Sequence, residues 1–157
     1  MTVSGREPPD AGTRFTSNDR LGLNVPDAYF CFSAAFRVKD AGHLHHELAQ
    51  RLGVETTSVS ARGEPSGALR KPAPHDMWVL DSPLPEEAPL HAHLAWLEQA
   101  LRPNSEYLKQ LIANGIQVDF FCGYRTDSDY SHYLLPAGAT AFANEIGAPL
   151  HMSYIVA

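Results

Sequence analysis

The chain has little cysteine: only Cys31 and Cys122 in 157 residues. Two are too few for a disulfide framework, and each lies inside a segment patterned as a strand, so both are expected as reduced, buried thiols. Long apolar runs are missing as well. No window reaches the roughly 18 consecutive apolar residues that a spanning helix needs, and the N-terminal stretch lacks a charged start followed by an apolar run. The expectation is therefore a soluble, unexported, cytoplasmic chain with no membrane partner. Positive charge is scarce: 12 Lys and Arg stand against 18 Asp and Glu, for a net charge of −6. That balance argues against a surface built to neutralise phosphates, so nucleic acid is not expected as a partner. Internal repeats, low-complexity tracts, a glycine-rich phosphate loop and a nucleophile-elbow serine are all absent.

What is present is pattern. From Ile116 to Arg125, Ile116, Val118, Phe120, Cys122 and Tyr124 alternate with Gln117, Asp119, Phe121, Gly123 and Arg125. A period of two in a β-branched and aromatic run predicts a strand with one face in the core. Asn114 and Gly115 suit the end of a helix feeding into it. Tyr29 to Val38 predicts another such strand, with Phe30, Phe32, Ala34, Phe36 and Val38 on its apolar face. Asp40 is read as the N-cap of a helix carrying Leu44, Leu48 and Leu52 and ended by Gly53. Thr56 to Arg62 and Met77 to Leu80 predict two more strands, separated by a Pro- and Gly-rich connection from Gly63 to Asp76.

Leu90, Leu94, Leu97 and Leu101 form a helical stripe that Pro103 breaks. Asn104 is read as the cap of a second part with Leu108, Leu111 and Ile112. Tyr133 and Leu134 suggest a short strand, Pro136 the first turn of a last helix, and Leu150 to Val156 a closing strand.

The order matches an α+β fold with a ferredoxin-like βαββαβ core, an added C-terminal helix and strand, and a mainly antiparallel sheet packed by helices. Right-handed crossovers place the first strand beside the Ile116–Arg125 strand. Residues 1–27 mix polar residues with Gly and Pro and are expected to form a mobile tail, leaving 28–157 as a single domain.

Candidate chemistry is sparse. His43, His46 and Glu47 share a helix side but form neither zinc-protease motif, so no metal is expected. Asp127, Asp129 and Ser131 imitate the start of a calcium loop, yet His132 and Gly138 stand where Gly and Glu are required. Arg62, Arg70, Lys71 and His75 cluster around the Gly63–Asp76 connection, next to Trp78. They read either as a solvated loop or as an anion- or partner-binding edge. Asp119 and Arg125 share one side of their strand, with Arg37 across from them, which fits either a surface ion pair or an open polar sheet face. Tyr29, Cys31, Phe121 and Ile155 fall on that same far face. They are core if helices cover both faces, and a dimer seam or partner site if helices cover only one.

Several of these features resemble, in order, the bacterial family DUF4279. They are Tyr29 to Phe36, Leu52-Gly53, Ala61-Arg62-Gly63-Glu64, Met77-Trp78, Leu94, Trp96-Leu97, Phe121-Cys122-Gly123-Tyr124, Leu135-Pro136 and Tyr154. The resemblance covers nearly everything from Tyr29 onward and implies an intracellular α+β domain. It brings no catalytic residues. The long N-terminal tail, and Leu135 in place of a polar cap before Pro136, depart from the family pattern.

The functional expectation is a small, cytoplasmic, non-catalytic binding or interaction protein, immunity-like or accessory, that needs no cofactor. It would act on a protein partner, or as a homodimer, through the sheet face or the basic loop. The alternative is a ligand-binding protein or enzyme that holds a small anionic substrate with Arg62, Arg70 or Lys71 near His75 and Trp78.

Overall fold

In the computed structural model, which describes residues 30–67, 69–128 and 133–156, the two longest alternating segments pair with each other. β1 (Phe30–Lys39) and β6 (Gln117–Thr126) run antiparallel, in a register from Phe30 opposite Thr126 to Lys39 opposite Gln117. Strand side chains alternate between faces, so this register gathers Ala34, Phe36, Val38, Val118, Phe120 and Cys122 on one side. All six are buried. Arg37, Lys39, Asp119, Phe121 and Arg125 emerge on the other. β5 (Met77–Asp81) pairs antiparallel with β1, and β2 (Ser58–Ser60) with β5. β7 (Leu150–Val156) joins β6 in parallel, which gives the order β2-β5-β1-β6-β7. The fold is thus α+β with a mainly antiparallel five-stranded sheet, and the first strand lies beside the Ile116–Arg125 strand.

Four helices, α1 (His45–Leu52), α2 (Leu90–Leu101), α3 (Ser105–Ala113) and α4 (Ala141–Ile146), supply Leu48, Leu52, Leu94, Leu97, Leu101, Leu108, Phe142 and Ile146 to one core cluster with Phe36, Trp78 and Phe120. Each such side chain contributes about 1.5–3 kcal/mol by leaving water. Every member contributed by β1 or β6 belongs to the same sheet face, so the helices all cover that face. Gly115 (φ 84) supplies the left-handed residue that turns α3 directly into β6.

Five expectations are corrected. Asp40 is no N-cap: its backbone turns left-handed (φ 52), its carboxylate is engaged elsewhere, and the chain passes through a 3-10 turn, Gly42–Leu44, before α1. Asn104 makes no capping bond, because its amide instead donates to the Leu52 carbonyl at 3.1 Å and ties α3 to the end of α1. Within the Gly63–Asp76 connection the chain forms a two-stranded hairpin, β3 (Pro65–Ser66) with β4 (Lys71–Pro72). Tyr133 and Leu134 form no strand, and Leu134 is exposed. Pro136 opens only a turn, since Gly138 (φ 86) cannot propagate a helix, and α4 starts at Ala141. Two expectations, the mobility of residues 1–27 and the calcium-like turn at Asp129 and Ser131, lie outside the described residues.

His93 is a buried polar group within α2. Its Nδ1 lies 3.1 Å from Ser82 Oγ, and its Nε2 has no hydrogen-bond partner among the described residues. Burial pushes the imidazole below its ordinary value, partly offset by the Ala88 and Pro85 carbonyls. A depressed histidine favours the fold while neutral. That stability is present above the unfolded value of about 6.5 and is lost as pH falls through the lower folded value. Lowering the pH from 7 to 5 is therefore expected to reduce the wild-type unfolding midpoint more than that of His93→Gln, as read by denaturant titration at each pH. Burial shifts His45 in the same direction, so the difference between the two proteins isolates His93.

Candidate functional site

The basic cluster forms where β1 ends. The Asp40 amide donates to the Asp76 carbonyl at 2.9 Å, fixing the turn. The Asp40 carboxylate then accepts Arg62 Nη2 at 2.8 Å and pairs with His75 Nδ1 at 2.7 Å. The Asp76 carboxylate accepts the Arg62 amide at 2.7 Å. The His75 contact, with help from Arg62 and against some burial, holds the Asp40 carboxyl below the usual range. Arg62 and His75 thus already have an internal anion.

Arg70, left-handed at φ 48, and Lys71 stand exposed in the β3–β4 hairpin and make no ion pair among the described residues. Trp78 is fully buried and donates from Nε1 to Thr56 Oγ1 at 2.9 Å, so it is a core residue and not a binding surface. Tyr29 lies outside the described residues.

Neither of two grooves gathers these basic groups. One, of about 600 Å³, is lined by Val54, Thr57, Asp81, Pro83, Trp96 and Ala100, among others. Burial raises the Asp81 carboxyl there. The second, of about 340 Å³, lies beside Lys39, Gln117, Asp119 and Pro149. No group of three or more His, Cys, Asp or Glu side chains among the described residues could hold a metal ion.

The helix-free sheet face is the more organised surface. Across β1 and β6, Arg37 clasps Asp119 with both prongs, Nε at 2.6 Å and Nη2 at 2.7 Å, and Lys39 Nζ adds a third contact at 2.6 Å. Burial raises the Asp119 carboxyl, but the Arg37 and Lys39 hydrogen bonds outweigh it and hold the group below its ordinary value. The Arg37 guanidinium also lies 4.2 Å from the centre of the Phe121 ring, and His151 on β7 meets that ring edge-on at 5.4 Å. Phe121 is therefore held on two sides and partly exposed, on the same sheet face as partly exposed Met77 and Val79 and exposed Ile155.

Further along, the chain after β5 follows the start of β1, with the Ser82 amide donating to the Ala34 carbonyl and the Phe32 amide to the Glu86 carbonyl. This brings the Glu86 carboxylate within 3.2 Å of Arg125, whose guanidinium also lies 3.7 Å from Cys31 Sγ. Gly123 leaves room there for the Ser33 hydroxyl, which would sit 2.5 Å from a Cβ at that position.

The two cysteines point to opposite sheet faces and are both free. Burial, and secondarily the Asp119 charge, pushes the Cys122 thiol up to about 12, which leaves it inert. Of the residues expected to bind, Phe121 and Arg125 share this face, whereas Arg62 and His75 meet around Asp40. Lys39, His151 and Glu86 went unnoticed in the sequence. The first two carry a signal, since Lys39 follows Arg37 by two and His151 alternates with Leu150 and Met152 of its strand. Glu86 arrives on a loop and carries none.

No helix among the described residues is long and apolar enough to cross a membrane. Compared with protein-family models, residues 29–157 match the family described as a domain of unknown function, DUF4279. No curated protein and no solved structure matches the chain.

Proposed function

The chain belongs to the DUF4279 family, and from that premise we propose that it is a small, non-catalytic interaction protein that engages a protein partner through its helix-free sheet face. One observation carries the reading: Phe121 is an aromatic side chain fixed in place, between the Arg37 guanidinium and His151, in the middle of a sheet face that no described helix covers. Rigid aromatic and arginine groups at the centre of a surface are what binding hot spots are made of. The partner presents an apolar patch to Phe121 and polar groups to the ion-paired rim. An immunity-like or accessory role in a bacterial cytoplasm suits two free thiols and a net charge of −6. We read β1, α1, β2, β5, α2–α3 and β6 as a ferredoxin-like unit, supported by the order β2-β5-β1-β6 with every neighbour antiparallel. The competing reading is an anionic ligand held by Arg62, Arg70 or Lys71 near His75 and Trp78; at Arg62 and His75 that ligand must displace Asp40, and Trp78 is buried away from it.

The test compares the tagged wild-type chain with Phe121→Glu and with an Arg70→Glu/Lys71→Glu double variant in capture from the source cell. Any recovered partner is then titrated against each. Phe121→Glu is expected to weaken binding about 30-fold or more while shifting the unfolding free energy by no more than about 1 kcal/mol. The hairpin variant is expected to bind like wild type. Binding that survives Phe121→Glu but fails in the hairpin variant would move the site to the basic edge. A small-molecule adduct in native mass spectrometry that disappears on denaturation would replace the reading altogether.

A further inference from the structure

The larger groove, of about 600 Å³, is built from elements that are tied to one another. One wall is the connection from α1 to β2. Gly53, left-handed at φ 66, turns the chain out of α1, and the Val54 amide donates back to the Ala49 carbonyl at 3.1 Å. Two threonines then fasten this wall to β5. Thr56 Oγ1 accepts the Trp78 indole, the Thr57 amide donates to the Val79 carbonyl at 3.0 Å, and Thr57 Oγ1 accepts the Asp81 amide at 2.8 Å. The other wall is α2, which contributes Trp96 and Ala100, four residues apart and so on one side of the helix. Leu80, Asp81 and Pro83 complete the lining.

The chemistry of that lining is of one kind. Its only charged side chains are Glu55 and Asp81, and neither carboxylate has an ion-pair partner among the described residues. Burial raises the Asp81 carboxyl, so its charge is held at a cost that a neighbouring cation would remove. Trp96 is partly exposed and packs against the core cluster, which fixes its ring in the wall. Indole is the aromatic ring that attracts a cation most strongly. The hydroxyls of Thr56 and Thr57 each accept one hydrogen bond and keep a second lone pair. Acceptors and negative charge thus stand beside an aromatic ring and the apolar Val54, Pro83 and Ala100, with no cation in the lining.

We propose that this groove binds a small organic ammonium, a primary amine carried on a short apolar stem. The three N–H donors of the ammonium match the acceptors of Asp81, Glu55 and the two threonines, and the stem matches Trp96 and its apolar neighbours. The volume falls in the range of about 300–1,000 Å³ typical of small-ligand sites. A quaternary ammonium has no donors to offer and is held by a cage of several aromatic rings, of which this groove has one. An anion would meet two carboxylates and no cation. The site goes beyond the interaction surface proposed above, because Phe121, Arg37 and His151 are not among its lining residues.

The probe is phenethylammonium at neutral pH, titrated into the full-length protein and followed by NMR of its amide and indole N–H groups. Phenethyl alcohol and hydrocinnamate serve as the neutral and anionic counterparts. The ammonium is expected to bind with a Kd of about 0.1 to 1 mM and to shift the Trp96 indole and the Thr57 and Asp81 amides. The alcohol is expected to bind about tenfold more weakly, and hydrocinnamate to leave these signals in place. Asp81→Asn is expected to weaken the ammonium about tenfold with a urea midpoint unchanged or raised, since it removes a charge that burial disfavours. Glu55→Gln/Asp81→Asn is expected to lose the preference for ammonium over alcohol, and Phe121→Glu to bind the ammonium like wild type. A ligand held this weakly is lost during purification, so its binding is compatible with a native mass free of adducts. No shift of any lining signal at tens of millimolar ammonium would overturn the proposal. So would equal binding of ammonium and alcohol, or a folded Glu55→Gln/Asp81→Asn variant that binds like wild type. Loss of ammonium binding in a folded Phe121→Glu variant would overturn it as well, by moving the site to the sheet face.

Discussion

Trp78→Ala is expected to lower the unfolding free energy by about 3 to 5 kcal/mol, the range for removing a large aromatic side chain from a core that cannot collapse into the gap. The side chain is fully buried in β5, opposite Val38 of β1 on one side and Val59 of β2 on the other, within the cluster that holds Leu48, Leu52 and Leu80. It also ties the edge to the core, because its indole donates to Thr56 Oγ1 just before β2 begins. Trp78→Phe separates the two contributions. It keeps much of the apolar volume and removes the donor, and is expected to cost about 1 to 2 kcal/mol. Urea titrations of the three proteins, followed by circular dichroism, read both differences. A midpoint left unmoved by Trp78→Ala would mean that the indole is not in the core. Its place beside Arg70, Lys71 and His75 in the sequence made it a candidate for ligand binding, but alternation along β5 turns it inward while His75 stays with Asp40 outside.

That contrast shows where the sequence is readable. Alternation in β1 and β6 identifies the strands, the core face and the separation of Cys31 from Cys122, because a period of two is a local consequence of backbone geometry. The leucine stripe of α2 and Gly53 after α1 are readable for the same reason. What fails is whatever depends on a partner distant in the chain. Asp40 has the side chain of a helix cap, but 22 residues separate it from the Arg62 that claims it. Asn104 likewise reaches back 52 residues to Leu52. The Arg37–Asp119 pair was visible as two charges that needed an explanation. Whether helices covered that face could not be read, because helix placement depends on how the crossovers close around the sheet.

Asp119→Ala is expected to destabilise the protein by about 2 to 3 kcal/mol, somewhat below the cost of breaking a fully buried pair, because the side chains of Arg37 and Lys39 stay 15% and 21% exposed. The cost comes less from the lost attraction than from two cations left side by side on adjacent β1 positions of one face with no anion between them. Replacing all three residues by apolar ones of similar size should therefore cost less than Asp119→Ala alone, an inversion that simple counting of ion pairs does not produce.

The pH dependence has a definite sign. The carboxyl is held below its unfolded value, so its contribution is complete above about pH 4 and fades as pH falls through the lower folded value. The gap between wild type and Asp119→Ala should accordingly narrow in acid and stay constant from pH 5 upward, as measured by unfolding at a series of pH values. A gap that stays the same at low pH would assign the loss to packing. Asp119 is itself only 6% exposed at its side chain and offers a partner little to touch, yet it holds Arg37 over Phe121. A loss of partner affinity in Asp119→Ala, together with its stability loss, would show that the ion pair organises the face on which Phe121 stands.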